Sequence, residues 1–272
     1  MNWKVYDYGG FYARYGITIG ATSGASRGSF AFRLGGMTLQ SMIEARRDGS
    51  MAASSESPTV ILLHGFAGLS VMNRPLARNL RRAGYRPVEI GYDSWGKSLE
   101  QICERLRPRF AQIDQSSKGP LHIVGHSMGG LVARALIHRQ RPARLGKVVM
   151  LGTPNGGSEI ADFLDGTLLL RPILGRAAPA LVTRRSIAID SMLGPVDYPV
   201  GIIAGNRPLM PIAAARFLPV PCDGKVSVAS TRLAEAADHI VLPLSHGMLP
   251  YHASAHQQIR HFLENGRFAR AD

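Results

Sequence analysis

The chain has 272 residues, 45% hydrophobic and 19% charged, which suits one large domain with a substantial core and at most a modest appendage. Two cysteines, Cys103 and Cys222, exclude a disulfide scaffold, and two free thiols of a reducing compartment are the plainer reading. The net charge of +13 comes mostly from scattered arginines, with no zinc-ligand spacing, aromatic RNA-binding signature or basic heptad helix beside it. No nucleic-acid partner is therefore expected. The charge points first to solubility and second to anionic membranes or substrates.

Residues 1–56 are rich in Gly, Ser, Ala and aromatics and end in a low-complexity run that reads as a flexible linker. Within this N-terminal extension, 30–34 is a candidate strand, 37–47 a candidate short helix, and Met51 an alternative start. No run approaches the roughly 18 apolar residues of a membrane span. Met1 to Asp7 lacks the apolar core of a signal peptide, so a cytoplasmic location is expected.

From Thr59 the pattern sharpens into alternating strands and helices. Thr59-Val60-Ile61-Leu62-Leu63 is apolar throughout, as in a strand buried on both faces. A helix is expected over 73–83, a strand over 85–90, and a helix over 99–113 with Ile102, Leu106, Phe110 and Ile113 on one face. A strand over 120–124, a helix over 131–139 and a strand over 147–151 follow. After an interruption come strands at 199–204 and 239–242 and a closing helix over 251–263. Short connections between alternating elements are the mark of a parallel sheet covered on both faces. The expected fold class is therefore α/β, with a mostly parallel central sheet flanked by helices over residues 57–268. The interruption, about 158–197, carries leucine groups separated by arginines. It reads as one or two amphipathic helices, either packed on the sheet or forming a cap that lines an acyl pocket with leucines.

Gly125-His126-Ser127-Met128-Gly129 fits G-x-S-x-G between an apolar strand and a helix, the context that gives this pattern meaning. A sharp strand-to-helix turn forces the serine into a strained conformation and brings its neighbours close together, so those positions favour glycine. The Ser127 hydroxyl would then stand clear of the sheet, with the Met128 N–H aimed where an oxyanion forms. His64-Gly65-Phe66-Ala67-Gly68 follows the first core strand, and the Phe66 N–H is the second donor candidate. His64 itself reads as structural.

A serine hydroxyl needs a base, and the base needs a carboxylate, in the chain order Ser, acid, His. His246, just after the last strand, is the best-placed base, with His252 the runner-up. Asp223, in Pro221-Cys222-Asp223-Gly224-Lys225-Val226, is the best-placed acid. Asp238 lies at the start of a strand, at the wrong end of the sheet, and Asp197 comes too soon before its strand.

Together with Gly152-Thr153-Pro154 these motifs resemble the lipase and esterase branch of the α/β-hydrolase superfamily, including bacterial triacylglycerol lipases and inositol-deacylase-like hydrolases. The resemblance covers about 59–263. It implies a compact α/β-hydrolase fold with a small helical cap and oxyanion donors at Phe66 and Met128. It further implies a Ser127–Asp223–His246 triad acting on esters or lipids without cofactor or metal. Thioester cleavage and acyl transfer would use the same residues, and a non-catalytic interaction module is the reading from another class.

Overall fold

The computed structural model describes residues 17–18, 33–34, 37–38 and 57–270. The chain divides into two compact units, Met1–Ala52 and Ala53–Asp272. In the first, strands β1 (Ile17–Thr18), β2 (Arg33–Leu34) and β3 (Met37–Thr38) form an antiparallel sheet in that order. Met37 and Thr38 are thus strand, where a helix was expected to begin. Leu34 pairs with Met37, and the two residues between them in sequence are both glycine, which favours a tight hairpin. The remainder of the expected 37–47 helix and the linker over 49–56 lie outside the described residues.

The second unit is built on a six-stranded sheet of β4 (Thr59–Leu63), β5 (Arg86–Ile90), β6 (Leu121–His126), β7 (Leu145–Leu151), β8 (Val200–Gly205) and β9 (Asp238–Leu242). All pairs are parallel, in the order β5-β4-β6-β7-β8-β9. Pro87 explains why β5 lies at the edge, since a proline cannot donate to a second neighbour. Alternate residues of β4 serve opposite cores. Ile61 and Leu63 pack with helices α2 (Leu99–Ser116) and α3 (Met128–Arg139), whereas Val60 and Leu62 pack with α1 (Arg74–Arg82) and the C-terminal helix Ala253–Asn265.

Several elements run past their expected ends, β6, β7 and the last helix by one or two residues and two helices by three. Helix α2 extends to Ser116 with Pro108 inside it, and α3 begins at Met128, directly after Ser127. Between β7 and β8 lies the expected insert, made of α4 (Glu159–Gly166), a 3-10 segment (Arg171–Ala177), α5 (Ala178–Leu181) and α6 (Ile187–Leu193). Leu174, Leu181 and Leu193 anchor it in the α2–α3 core. The next connection carries α7 (Pro211–Phe217), which no sequence signal announced.

Chain direction in the sheet reverses between β4 and β6, because β4 leads outward to β5 while β6 leads the other way to β7. In an open parallel sheet, the C-terminal ends of the strands flanking such a point form a crevice. The loop after β4 and the turn after β6 both open there.

Candidate active site

The turn after β6 places Ser127 at φ 53° and ψ −125°, a conformation that costs a non-glycine residue about 1–3 kcal/mol. Its backbone N–H donates to the Leu151 carbonyl at 2.8 Å, which fixes the turn against β7. The flanking glycines are required by close approach. A Cβ on Gly125 would stand 2.5 Å from the Gly130 nitrogen, and one on Gly129 2.5 Å from the Leu63 carbonyl oxygen. Met128 opens α3, so its N–H has no acceptor within the helix.

The loop after β4 is held by His64. Its Nδ1–H donates to the Gly65 carbonyl at 2.8 Å, so Nε2 is the acceptor for the Tyr92 N–H at 3.2 Å. The ring stacks on Tyr92 at 4.1 Å, and burial holds it below the usual imidazole range. With both nitrogens engaged, His64 orders the loop. A Cβ on Gly65 would lie 3.0 Å from the Ser127 Cβ, so the segment bearing Phe66 runs directly beside the serine. Among the described residues the Phe66 N–H meets no hydrogen-bond acceptor.

Asp223 and His246 are brought together. Both are buried, at 2% and 5% exposure, and His246 Nδ1–H donates to Asp223 Oδ2 at 2.7 Å. The other carboxylate oxygen accepts from the N–H groups of Lys225 at 2.9 Å and Val226 at 2.8 Å. The His246 backbone N–H also donates to the Asp223 carbonyl at 2.9 Å. The carboxylate is thereby fixed from three directions, the imidazole tautomer is set, and Nε2 is the ring nitrogen left to exchange a proton. The alternative residues lie elsewhere. His252 caps the last helix, Asp238 pairs with Arg270 at 2.5 Å, and Asp197 pairs with Arg141 at 2.6 Å on the surface.

Ser127, His246 and Phe66 line one cavity of about 550 Å³ at the C-terminal edge of the sheet. No hydrogen bond joins the Ser127 hydroxyl to the His246 ring among the described residues; the two share the cavity wall. Apolar side chains from the insert, namely Ile160, Leu164, Ile173, Leu174 and Leu181, form much of the remainder. Leu168 and Leu169 do not contribute, standing outside at 84% and 88% exposure. Among the described residues no group of three or more His, Cys, Asp or Glu could hold a metal ion. Both cysteines are free and buried, and burial raises the Cys103 thiol to about 12, far from a reactive thiolate.

Two residues in this arrangement were not singled out by sequence reasoning. His126 Nε2–H donates to the His246 carbonyl at 3.1 Å, and the two rings lie 4.9 Å apart. Burial, with His246 adding to it, pushes the His126 ring down to about 3, so it is neutral at physiological pH. Gly152, at φ 54°, runs so close to the buried pair that a Cβ there would lie 3.0 Å from Asp223 Oδ2 and 3.1 Å from His246 Nδ1. The position of His126 inside the serine motif was the one available signal for it. Gly152 offered none beyond its place in Gly-Thr-Pro.

Residues 58–180 match the family model described as alpha/beta hydrolase fold. No curated protein sequence matches the chain. Among solved structures, the chain is similar to the mature form of lipase BlEst2 from Bacillus licheniformis, at 18% identity and TM-score 0.63, over 78% of this chain and 93% of that one. It is similar to a metagenomic carboxyl esterase at 16% identity and TM-score 0.57, over 71% of this chain and 65% of that one. A bromoperoxidase from Bacillus anthracis, at 16% identity and TM-score 0.55, is matched over 77% of this chain and 92% of its own. Such identities speak for architecture alone, and the names range from ester hydrolases to a bromoperoxidase. The sheet and its strand order give residues 57–270 an α/β fold with a central parallel sheet flanked by helices, consistent with a compact α/β-hydrolase domain, and residues 58–180 carry the match to that family model.

Proposed function

We propose that residues 57–268 form a serine hydrolase domain that cleaves carboxylic esters. The observation that carries this reading is the buried Asp223–His246 pair, which opens on the same cavity as the strained Ser127. In the proposed reaction His246 Nε2 takes the Ser127 proton as the oxygen attacks the ester carbonyl. The N–H groups of Phe66 and Met128 receive the oxyanion. The protonated His246 then gives its proton to the departing alcohol, and water attacks the acyl-enzyme in a mirrored second step.

The substrate follows from the cavity wall. A volume of about 550 Å³, walled by leucines and isoleucines, favours a medium or long acyl chain, as in a lipid. Hydrolysis of a nitrophenyl ester series of increasing chain length tests both parts. Turnover should rise beyond acetate and vanish in Ser127→Ala. Undiminished turnover in that variant refutes the nucleophile. A thioester in the same series separates thioesterase chemistry, which the same residues would serve.

A further inference from the structure

The cavity wall holds a polar group that the proposed chemistry does not use. Among the described residues, Asn73, Arg134, Thr153, Glu159, Tyr198 and Ser245 each bury a side-chain nitrogen or oxygen that has no hydrogen-bond partner. Of these, Asn73 alone lines the cavity that holds Ser127 and His246. It is 4% exposed, and its Nδ2 meets no acceptor. A buried donor without a partner lowers stability, so its presence calls for a reason.

Local structure supplies none. Asn73 stands at the N-cap of α1, where an asparagine side chain ordinarily accepts from the second or third helical N–H. Here the second helical residue is Pro75, which has no N–H, and the Asn73 backbone is already helical at φ −82° and ψ −7°. No side-chain cap bond forms. The other polar side chains of the wall are accounted for. His64 and His126 bond to backbone groups, and the Ser158 hydroxyl donates to the Lys225 carbonyl at 2.7 Å. Lys225 and Tyr251 both reach water.

The place of Asn73 in the fold assigns it to one half of an ester. Leu174 and Leu181 of the cavity wall belong to the core on the α2–α3 face of the sheet. Helix α1, which Asn73 precedes, packs with the C-terminal helix on the opposite face. The cavity thus has an apolar side and, across the sheet edge from it, a buried amide. With the acyl chain against the leucines, the alcohol half of the ester lies toward Asn73.

We infer that Asn73 determines specificity by hydrogen-bonding a hydroxyl on the alcohol half of the ester, so that the favoured substrates are partial esters of a diol or polyol. A carboxamide offers both a donor and an acceptor, and a hydroxyl answers either. A charged alcohol half would call for an opposite charge, which Asn73 lacks. This selectivity presupposes the ester hydrolysis proposed above, whereas the recognition itself is a binding event.

Hydroxyethyl hexanoate and propyl hexanoate test it, because they differ only by a hydroxyl in place of a methyl group. Calorimetric titration of Ser127→Ala, which should bind without turnover, should show about tenfold tighter binding of the hydroxyethyl ester. Adding Asn73→Leu or Asn73→Ala should bring that ratio to about one. The parent chain should show the same preference in kcat/KM, and both Asn73 variants should lose it. Asn73→Leu exchanges an unpaired buried amide for an apolar side chain, so its thermal unfolding midpoint should rise by about 2–4 °C.

Equal binding of the two esters by Ser127→Ala, or a preference that survives both Asn73 substitutions, would overturn the inference. So would a midpoint lowered by Asn73→Leu, the mark of a structural residue. If the parent chain hydrolyses neither ester while Ser127→Ala keeps the binding ratio, ester hydrolysis fails and recognition by Asn73 stands.

Discussion

Replacing Gly152 by alanine adds one methyl group at the most crowded point of the candidate site. Gly152 has φ 54°, where an L-residue costs about 1–2 kcal/mol. The new Cβ would stand 2.9 Å from Leu249 Cδ1, 3.0 Å from Asp223 Oδ2 and 3.1 Å from His246 Nδ1. Ordinary contacts to carbon are several tenths of an ångström longer, so something must yield. Leu249 is fully buried, and Asp223 Oδ1 is tied to two backbone N–H groups. The softest point is therefore the Asp223–His246 hydrogen bond, a charge-assisted interaction worth roughly 1.5–3 kcal/mol.

Two effects should follow. Strain and crowding should destabilise the fold by about 2 kcal/mol, read as a lower urea midpoint at unchanged slope. A displaced imidazole should lower kcat/KM by about 10- to 100-fold, because each tenfold corresponds to about 1.4 kcal/mol of transition-state stabilisation. Ester hydrolysis and urea unfolding of Gly152→Ala measure both. If stability and kcat/KM each stay within about twofold of the parent, the packing argument and the role of the pair are refuted together.

Gly129→Ala, with its Cβ facing the Leu63 carbonyl, should cost about 3 kcal/mol or more or prevent folding, and circular dichroism with urea titration would show which. His126→Phe keeps a planar ring but loses the hydrogen bond to the His246 carbonyl, and should lower kcat about tenfold with little change in KM. Acid should destabilise the fold through its buried histidines. Burial chiefly lowers His122 to about 4 and His126 to about 3, below the ordinary 6.5, so the unfolded chain binds more protons in this range. The stability they contribute is complete above about pH 6.5 and is lost as pH falls through about 4 for His122 and about 3 for His126. The urea midpoint should drop across that window, and His122→Gln should flatten the slope if it folds.

Much of this architecture is legible from short-range pattern. The unbroken apolar run of β4 announces a strand buried on both faces, and the glycines around Ser127 announce a turn too tight for side chains. The edge position of β5 was also written in the chain, as Pro87, although it takes the sheet order to see why. Other features depend on contacts between distant residues. His126 acts on His246, 120 positions away in sequence, and Gly152 is required by Asp223 and Leu249, both far downstream. No local periodicity can report such meetings.

The insert shows the limit most clearly. Its leucines look alike in sequence, yet Leu174 and Leu181 line the cavity while Leu168 and Leu169 face water. Helix α7 escaped notice for a related reason, since its apolar residues are largely exposed and give no buried face to detect. At Met37 a helical reading of 37–47 gave way to strand pairing with β2.

The proposed activation of Ser127 by His246 and Asp223 can be read from the serine itself. Covalent labelling by a fluorophosphonate, located by peptide mass spectrometry, tests it most directly. One adduct per chain is expected, on Ser127, lost in Ser127→Ala and slowed by several orders of magnitude in His246→Ala. An unlabelled parent chain, an adduct on another residue, or undiminished labelling without His246 would contradict it.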